Sequence, residues 1–252
     1  MDVAFITPTK NLAQYAVASK YHLVLAHQYL ADEMYRYFYQ ARVKAGDTVI
    51  LDNSAYELSG SIDLDQLVKC AESLRPSAVI LPDVRFKAEK TLRATRLGIK
   101  EFKKRGWPIK LLAVPQGKDL ESVLVCYLQL AGMQIDGFGI YEEIGKVTDC
   151  GQREDFLAFL ERTGLVLRSK YYHLLGMEEN LHLLRELRKF SWVGGIDSAK
   201  PIVYGMNGLR IHEGEPCPEY PHRPSNYFER DVSEYDTSIR HNQRIVQSWV
   251  KN

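Results

Sequence analysis

Short runs rich in Val, Ile, Leu and Tyr recur at residues 3–7, 21–26, 48–51, 78–81, 110–114, 137–140, 171–175 and 192–196. Each has the length of a strand, and most are too continuously apolar to have one face in water. Between them, residues 28–45, 64–74, 88–105, 120–131, 155–162 and 179–190 carry apolar side chains at helical spacing. Asp63 ahead of Gln66, and Asn11 ahead of Leu12, have the side chains that start helices. Strands alternating with helical crossovers predict an α/β chain, folded as a (β/α)8 barrel of the TIM type. A doubly wound open sheet shares this alternation, because strand count alone does not show closure.

The texture changes after Gly208. Glu215-Pro-Cys-Pro-Glu-Tyr-Pro-His-Arg-Pro224 is proline-rich and predicts an irregular excursion. An amphipathic stretch at 237–250 predicts a last helix that packs back. The expected organisation is a catalytic barrel over residues 1–208, with an extension over residues 209–252 lying on it.

At 252 residues and 45% hydrophobic content, the chain has enough apolar side chains for one large core. A formal charge of +1 provides no global basic field, although a local patch would suffice for nucleic acid. Cys70, Cys126, Cys150 and Cys217 are scattered without a CxxC pair, so neither a disulfide framework nor a zinc knuckle is expected. No apolar run reaches membrane-spanning length, and the first residues lack a signal-peptide pattern. These features predict a soluble protein of the cytoplasm.

The strand ends carry the chemistry. Val49-Ile-Leu-Asp52, Val79-Ile-Leu-Pro-Asp83 and Trp192-Val-Gly-Gly-Ile-Asp197 each run from apolar residues onto a carboxylate. A charge placed there is costly unless something uses it, and barrels build their sites at the carboxyl ends of strands. Neighbouring strand ends add Tyr56, Gln116 with Gly117, Gly139 with Tyr141, and His173 with Gly176 and Met177. Each Asp also has a bland reading as a helix N-cap, Asp83 above all for a helix beginning near Phe86. Three Asp and one His lack the Glu and His spacing of metallohydrolases, so no metal ligand is assigned. One carboxylate can accept both N1–H and the exocyclic amine of a guanine edge. Gln116 can donate to O6, and Tyr56 can lie flat on the ring. Another carboxylate beneath a sugar C1′ can attack it through an oxocarbenium-like transition state.

These motifs resemble those of the tRNA-guanine transglycosylase superfamily. Leu51-Asp-Asn-Ser-Ala-Tyr-Glu57, Leu81-Pro-Asp83, Val114-Pro-Gln-Gly117 and Tyr172-His-Leu-Leu-Gly-Met177 are similar to its motifs in the same order. Ile196-Asp-Ser-Ala-Lys-Pro201 followed by Gly205-Met-Asn-Gly208 is similar to its nucleophile segment. The resemblance implies a (β/α)8 fold and base exchange with neither ATP nor another cofactor. It implies Asp197 as nucleophile and Asp52 as general acid/base, with Asp83 accepting from the guanine edge. Tyr56, Gln116, Gly117, Gly139, His173, Leu175 and Met177 would surround the base. The family often pairs, so a homodimer is one expectation.

Departures from the family narrow the expected substrate. The family's cysteine-rich zinc site is missing; only Cys217, His212, His222 and His241 lie in that region, at other spacings. Two arginines of the nucleophile segment, which contact RNA backbone in the family, are Val203 and Met206 here. This pattern resembles the compact DNA-modifying branch, which exchanges guanine in DNA for a free 7-deazaguanine base. tRNA is the other expected substrate, and a non-catalytic nucleobase-binding relative the other functional class. Lys200, Arg210 and Arg223 are the expected phosphate contacts.

Overall fold

A computed structural model describes residues 1–177, 181, 183–213, 219 and 221–251. Strands β1 (Asp2–Phe5), β2 (Tyr21–Leu25), β3 (Thr48–Asp52), β4 (Ala78–Ile80), β5 (Lys110–Ala113), β6 (Gly137–Tyr141), β7 (Tyr171–Leu175) and β8 (Gly195–Ser198) form one sheet. The order β1-β8-β7-β6-β5-β4-β3-β2 is parallel throughout, and β1 also packs beside β2. The sheet is therefore a nearly closed barrel ringed by helices, the α/β (β/α)8 architecture that the alternating pattern predicts. No open doubly wound sheet forms.

Alternation within the strands sets the site. Tyr21, Leu23 and Leu25 of β2 share one face, as do Tyr171, His173 and Leu175 of β7 and Gly195 and Asp197 of β8. That face is the barrel interior, because Leu23, Leu25, Leu175 and Asp197 all line the cavity at its mouth. β8 starts later and runs further than the predicted 192–196 segment. Gly194 N–H bonds Tyr172 O, and the ladder with β1 pairs Asp2 with Gly195 and Ala4 with Asp197. Asp197 therefore sits inside the ladder rather than beyond it.

The helices follow the predicted spans with local differences. The 28–45 segment divides into Ala26–Ala31 and Glu33–Lys44, because Asp32 is extended and its carboxylate caps the second helix at Tyr35 N (3.0 Å). Asp63 caps Leu64–Leu74 through Asp65 N as expected. Asn11 does not cap Leu12–Tyr15; its amide reaches Asp231 and its carbonyl accepts from Val232 N. Of the predicted 179–190 helix, Leu183–Leu187 is helical, and residues 178–180 and 182 lie outside the described residues. Cys217 and most of the proline-rich 215–220 stretch lie outside them as well.

The terminal helix, Asp236–Val250, packs against Lys200–Met206, the helix that follows β8. Buried Asn242 joins the two: it accepts from Ile211 N and donates to Pro201 O and Leu209 O. Among the described residues, no helix is long and apolar enough to cross a membrane.

Candidate active site

A cavity of about 1080 Å³ opens at the carboxyl ends of the strands, at the upper end of the size range of small-molecule sites. Asp52, Asp83, Gln116 and Asp197 line it together with Tyr56, Leu175, Met177, Lys200 and Arg223. Thus the ends of β3, β4, β5 and β8 deliver polar groups to one space, as the strand-end pattern predicts, and the end of β7 adds Leu175 and Met177.

Asp83 is clamped rather than capping. The Ala88–Arg105 helix has Lys87 at its N-cap position and no side-chain cap. Asp83 Oδ1 accepts from Asn53 Nδ2 (2.7 Å) and Oδ2 from Gln116 Nε2 (2.6 Å). Burial raises the Asp83 carboxyl to about 6, against the opposing pull of these two amides. Gln116 is itself committed, since Oε1 accepts from Phe86 N (3.0 Å), which leaves one amide hydrogen for a ligand. Phe86 sits at φ 60, a conformation that a side chain disfavours, and this bond helps to hold it there.

Asp52 closes a tight turn in which Ser54 N–H donates to Oδ2 (2.8 Å). Its carboxyl is pushed well above the ordinary range by burial first, then by the neighbouring Glu57 charge, with smaller contributions from Asp197 and Asp83. Glu57 is raised by its own burial and pulled back by Arg223, whose guanidinium lies 3.5 Å away. Arg223 comes from the extension, so residues 209–252 contribute to the cavity wall together with His222 and Glu219.

Asp197 is 7% exposed, and its Oδ1 is held by two groups. His173 Nε2 lies 3.0 Å from it, and Gly176 N–H donates across 3.2 Å. Behind the ring, His173 Nδ1 lies 2.6 Å from the Tyr21 hydroxyl, itself 2.7 Å from the Tyr171 hydroxyl. Gly195 makes this possible, because a Cβ there would lie 2.3 Å from the Tyr21 hydroxyl oxygen.

Several expected site residues stand elsewhere. His173 is completely buried beneath the cavity and does not line it, because the parity of β7 points it inward one layer below Leu175. Gly117 and Gly139 do not line it either: Gly117 packs against Ser122 and Val123, and Gly139 lies under Leu175 and Val114. Tyr56 stands 65% exposed on the rim, with the Arg85 guanidinium 5.2 Å from its ring centre. Lys200 lines the wall but is engaged by Met177 O and Glu142 Oε1, and Arg210 is exposed away from the cavity. Tyr141 lines the cavity as its strand end predicts; Glu57, Arg85 and Glu143 have no role expected from sequence, yet all line it, and Arg85 pairs with Glu143 at 2.5 Å. The position of Glu57 just after Tyr56 in the β3 motif was the available signal. Among the described residues, no group of three or more His, Cys, Asp or Glu side chains is arranged to hold a metal ion.

No protein-family profile matches the chain, and no curated protein does. Among solved structures, β-methylaspartase from Clostridium tetanomorphum is similar at 13% identity and a TM-score of 0.41, over 85% of this chain and 47% of that one. The chain thus spans about half of the length of that enzyme. N-acetylneuraminate lyase from Mycoplasma synoviae is similar at 12% identity and a TM-score of 0.48, over 98% of this chain and 96% of that one. Active domain 2 of a thermostable chitinase from Pyrococcus furiosus is similar at 9% identity and a TM-score of 0.46, over 95% and 90% of the two chains. Likenesses this distant carry no functional assignment.

Proposed function

We propose that this chain is a base-exchange transglycosylase that replaces guanine in DNA with a 7-deazaguanine through a covalent Asp197–sugar ester. The observation that carries the reading is the convergence of Asp52, Asp83 and Asp197 on one cavity, with Asp83 fixed by two amides. A carboxylate so clamped keeps a lone pair on each oxygen for the N1–H and exocyclic amine of guanine. The remaining Gln116 amide hydrogen serves O6, Leu175 supplies an apolar wall, and Tyr56 covers the base from the rim.

In the first half-reaction, an Asp197 oxygen bonds C1′ while the C1′–N9 bond breaks. Its electron pair leaves with guanine, which takes a proton from Asp52. The raised pKa of Asp52 suits a group that must hold a proton at neutral pH. In the second, Asp52 removes the N9 proton of the incoming base, N9 attacks C1′, and the ester bond to Asp197 breaks. Two inversions give net retention. A duplex substrate requires the target nucleotide to be rotated out of the stack.

DNA is favoured over tRNA by the segment after Asp197. Val203 and Met206, at the positions of the resembling family's backbone-contacting arginines, are buried in the Lys200–Met206 helix. The test is to incubate the chain with labelled guanine and separate DNA and tRNA pools. Label in DNA, lost with Asp197→Ala in a folded protein, is the expected result. Label in tRNA alone would move the substrate, and normal turnover by Asp197→Ala would remove the mechanism.

A further inference from the structure

We propose that His173 is the positioning residue for Asp197, and that it selects Oδ2 as the oxygen that bonds the anomeric carbon. The inference rests on the reading of Asp197 as nucleophile and deepens it. A carboxylate only accepts hydrogen bonds, so the 3.0 Å contact places a proton on His173 Nε2, donated to Asp197 Oδ1. Gly176 N–H donates to the same oxygen. Among the described residues, Oδ2 has no hydrogen-bond partner, while Asp197 lines the cavity. One oxygen is therefore tied down and the other is presented.

The ring is held in turn. Tyr21 fixes Nδ1 at 2.6 Å, and Tyr171 fixes Tyr21 at 2.7 Å, so two tyrosines from two strands lock the imidazole plane. This polar column occupies the centre of the barrel, where aliphatic side chains would fill the space with no polar group to satisfy. Gly195 forgoes a side chain to admit it. The column reaches the cavity at the carboxylate. An arrangement of this kind stops Asp197 from rotating when its charge is lost in the ester, and returns it to the same geometry when the ester breaks.

The test compares single-turnover exchange by the wild type, His173→Leu, His173→Gln and Tyr21→Phe. His173→Leu should lower the exchange rate on the order of a hundredfold while KM for the nucleic acid moves less than about twofold, because orientation rather than binding is lost. His173→Gln, which retains a donor, should recover part of the loss, and Tyr21→Phe should fall between. Should His173→Leu fail to fold, the paired variant Tyr21→Phe with His173→Leu removes the stranded hydroxyl and serves in its place. A nitrogen-resolved NMR spectrum of the wild type should show a hydrogen-bonded His173 Nε2 proton that shifts in Asp197→Ala. Undiminished exchange by the leucine variant, or an unshifted Nε2 proton, would overturn the positioning role alone. A wild-type chain with no exchange on any nucleic acid would overturn the functional reading and this inference together.

Discussion

Gln116 Nε2 donates to Asp83 Oδ2 across 2.6 Å, and this bond opposes the burial that favours a proton on Asp83. The amide favours the carboxylate, whereas burial, the larger influence, favours the acid and lifts Asp83 to about 6. A guanine edge needs the ionised form, with two donors meeting two acceptors. Guanine affinity should therefore be flat above neutrality and fall about tenfold per pH unit well below 6. Gln116→Leu should move that midpoint upward as well as weaken binding. Titration calorimetry from pH 5 to pH 8 checks both, and a midpoint unmoved in the variant would contradict the role given to this amide.

The same group makes stability depend on pH in an unusual direction for a carboxylate. An ordinary Asp titrates near 4, so between about 4 and 6 the folded chain binds this proton more tightly than the unfolded chain. Its contribution is fully present at low pH and is lost as pH rises through that window. Relative to Asp83→Asn, the wild type should lose about 2 kcal/mol between pH 4 and pH 7, an order-of-magnitude figure. Urea unfolding of both proteins at the two pH values measures the difference. A gap that does not change with pH would be inconsistent with a raised Asp83.

Glu57 and Asp52 provide a separate handle on catalysis. After burial, the Glu57 charge is the strongest influence raising Asp52. Glu57→Gln removes that charge, so Asp52 should release its proton at lower pH. If Asp52 donates to the leaving base, the alkaline limb of the exchange profile should move to lower pH. Single-turnover rates across pH 6 to 9 test the direction, and a limb that stays in place would remove Asp52 from the donor role.

Much of this was legible from strand ends and much was not, for a physical reason in each case. Val49-Ile-Leu-Asp52 and Val79-Ile-Leu-Pro-Asp83 announce acids at strand ends because a charge after a buried run needs a purpose, and both acids do line the cavity. Closure of the barrel depends on the β1–β8 ladder, a pairing between the two ends of the strand series that no local pattern encodes. The interior column is the instructive omission. Tyr171 and His173 share a face by strand parity, as do Gly195 and Asp197, and that much could have been read. Tyr21 could not be joined to them without the register of the closed barrel. The strand-end pattern expects His173 in the pocket, but it lies two residues before Leu175 on the same face of β7, which puts it one layer deeper.

Gly195→Ala tests whether that depth is sterically fixed. The added methyl would meet the Tyr21 hydroxyl oxygen at 2.3 Å, and Tyr21 cannot retreat without leaving His173 and Tyr171. Overpacking of this kind costs roughly 1–3 kcal/mol, or about 2–12 °C in Tm for a chain of this size. Exchange should fall further than stability requires, since the displaced tyrosine frees the imidazole. Differential scanning calorimetry beside single-turnover rates separates the two effects.

Asn242 carries the last prediction, on how the extension reaches the site. Its carbonyl accepts from Ile211 N at 2.8 Å, and its amide donates to Pro201 O at 3.2 Å and Leu209 O at 3.0 Å, the first two fully buried. One side chain thus ties the terminal helix to the helix that begins three residues after Asp197. Asn242→Leu removes three hydrogen bonds and leaves the buried Ile211 N–H without its acceptor, a loss of roughly 2–4 kcal/mol. Arg223 belongs to the same extension, so a loosened tether should also weaken its grip on Glu57 and move the exchange profile. Chemical unfolding gives the stability loss and the pH profile gives the coupling. A variant as stable as the wild type would show that the extension is held by its apolar face alone.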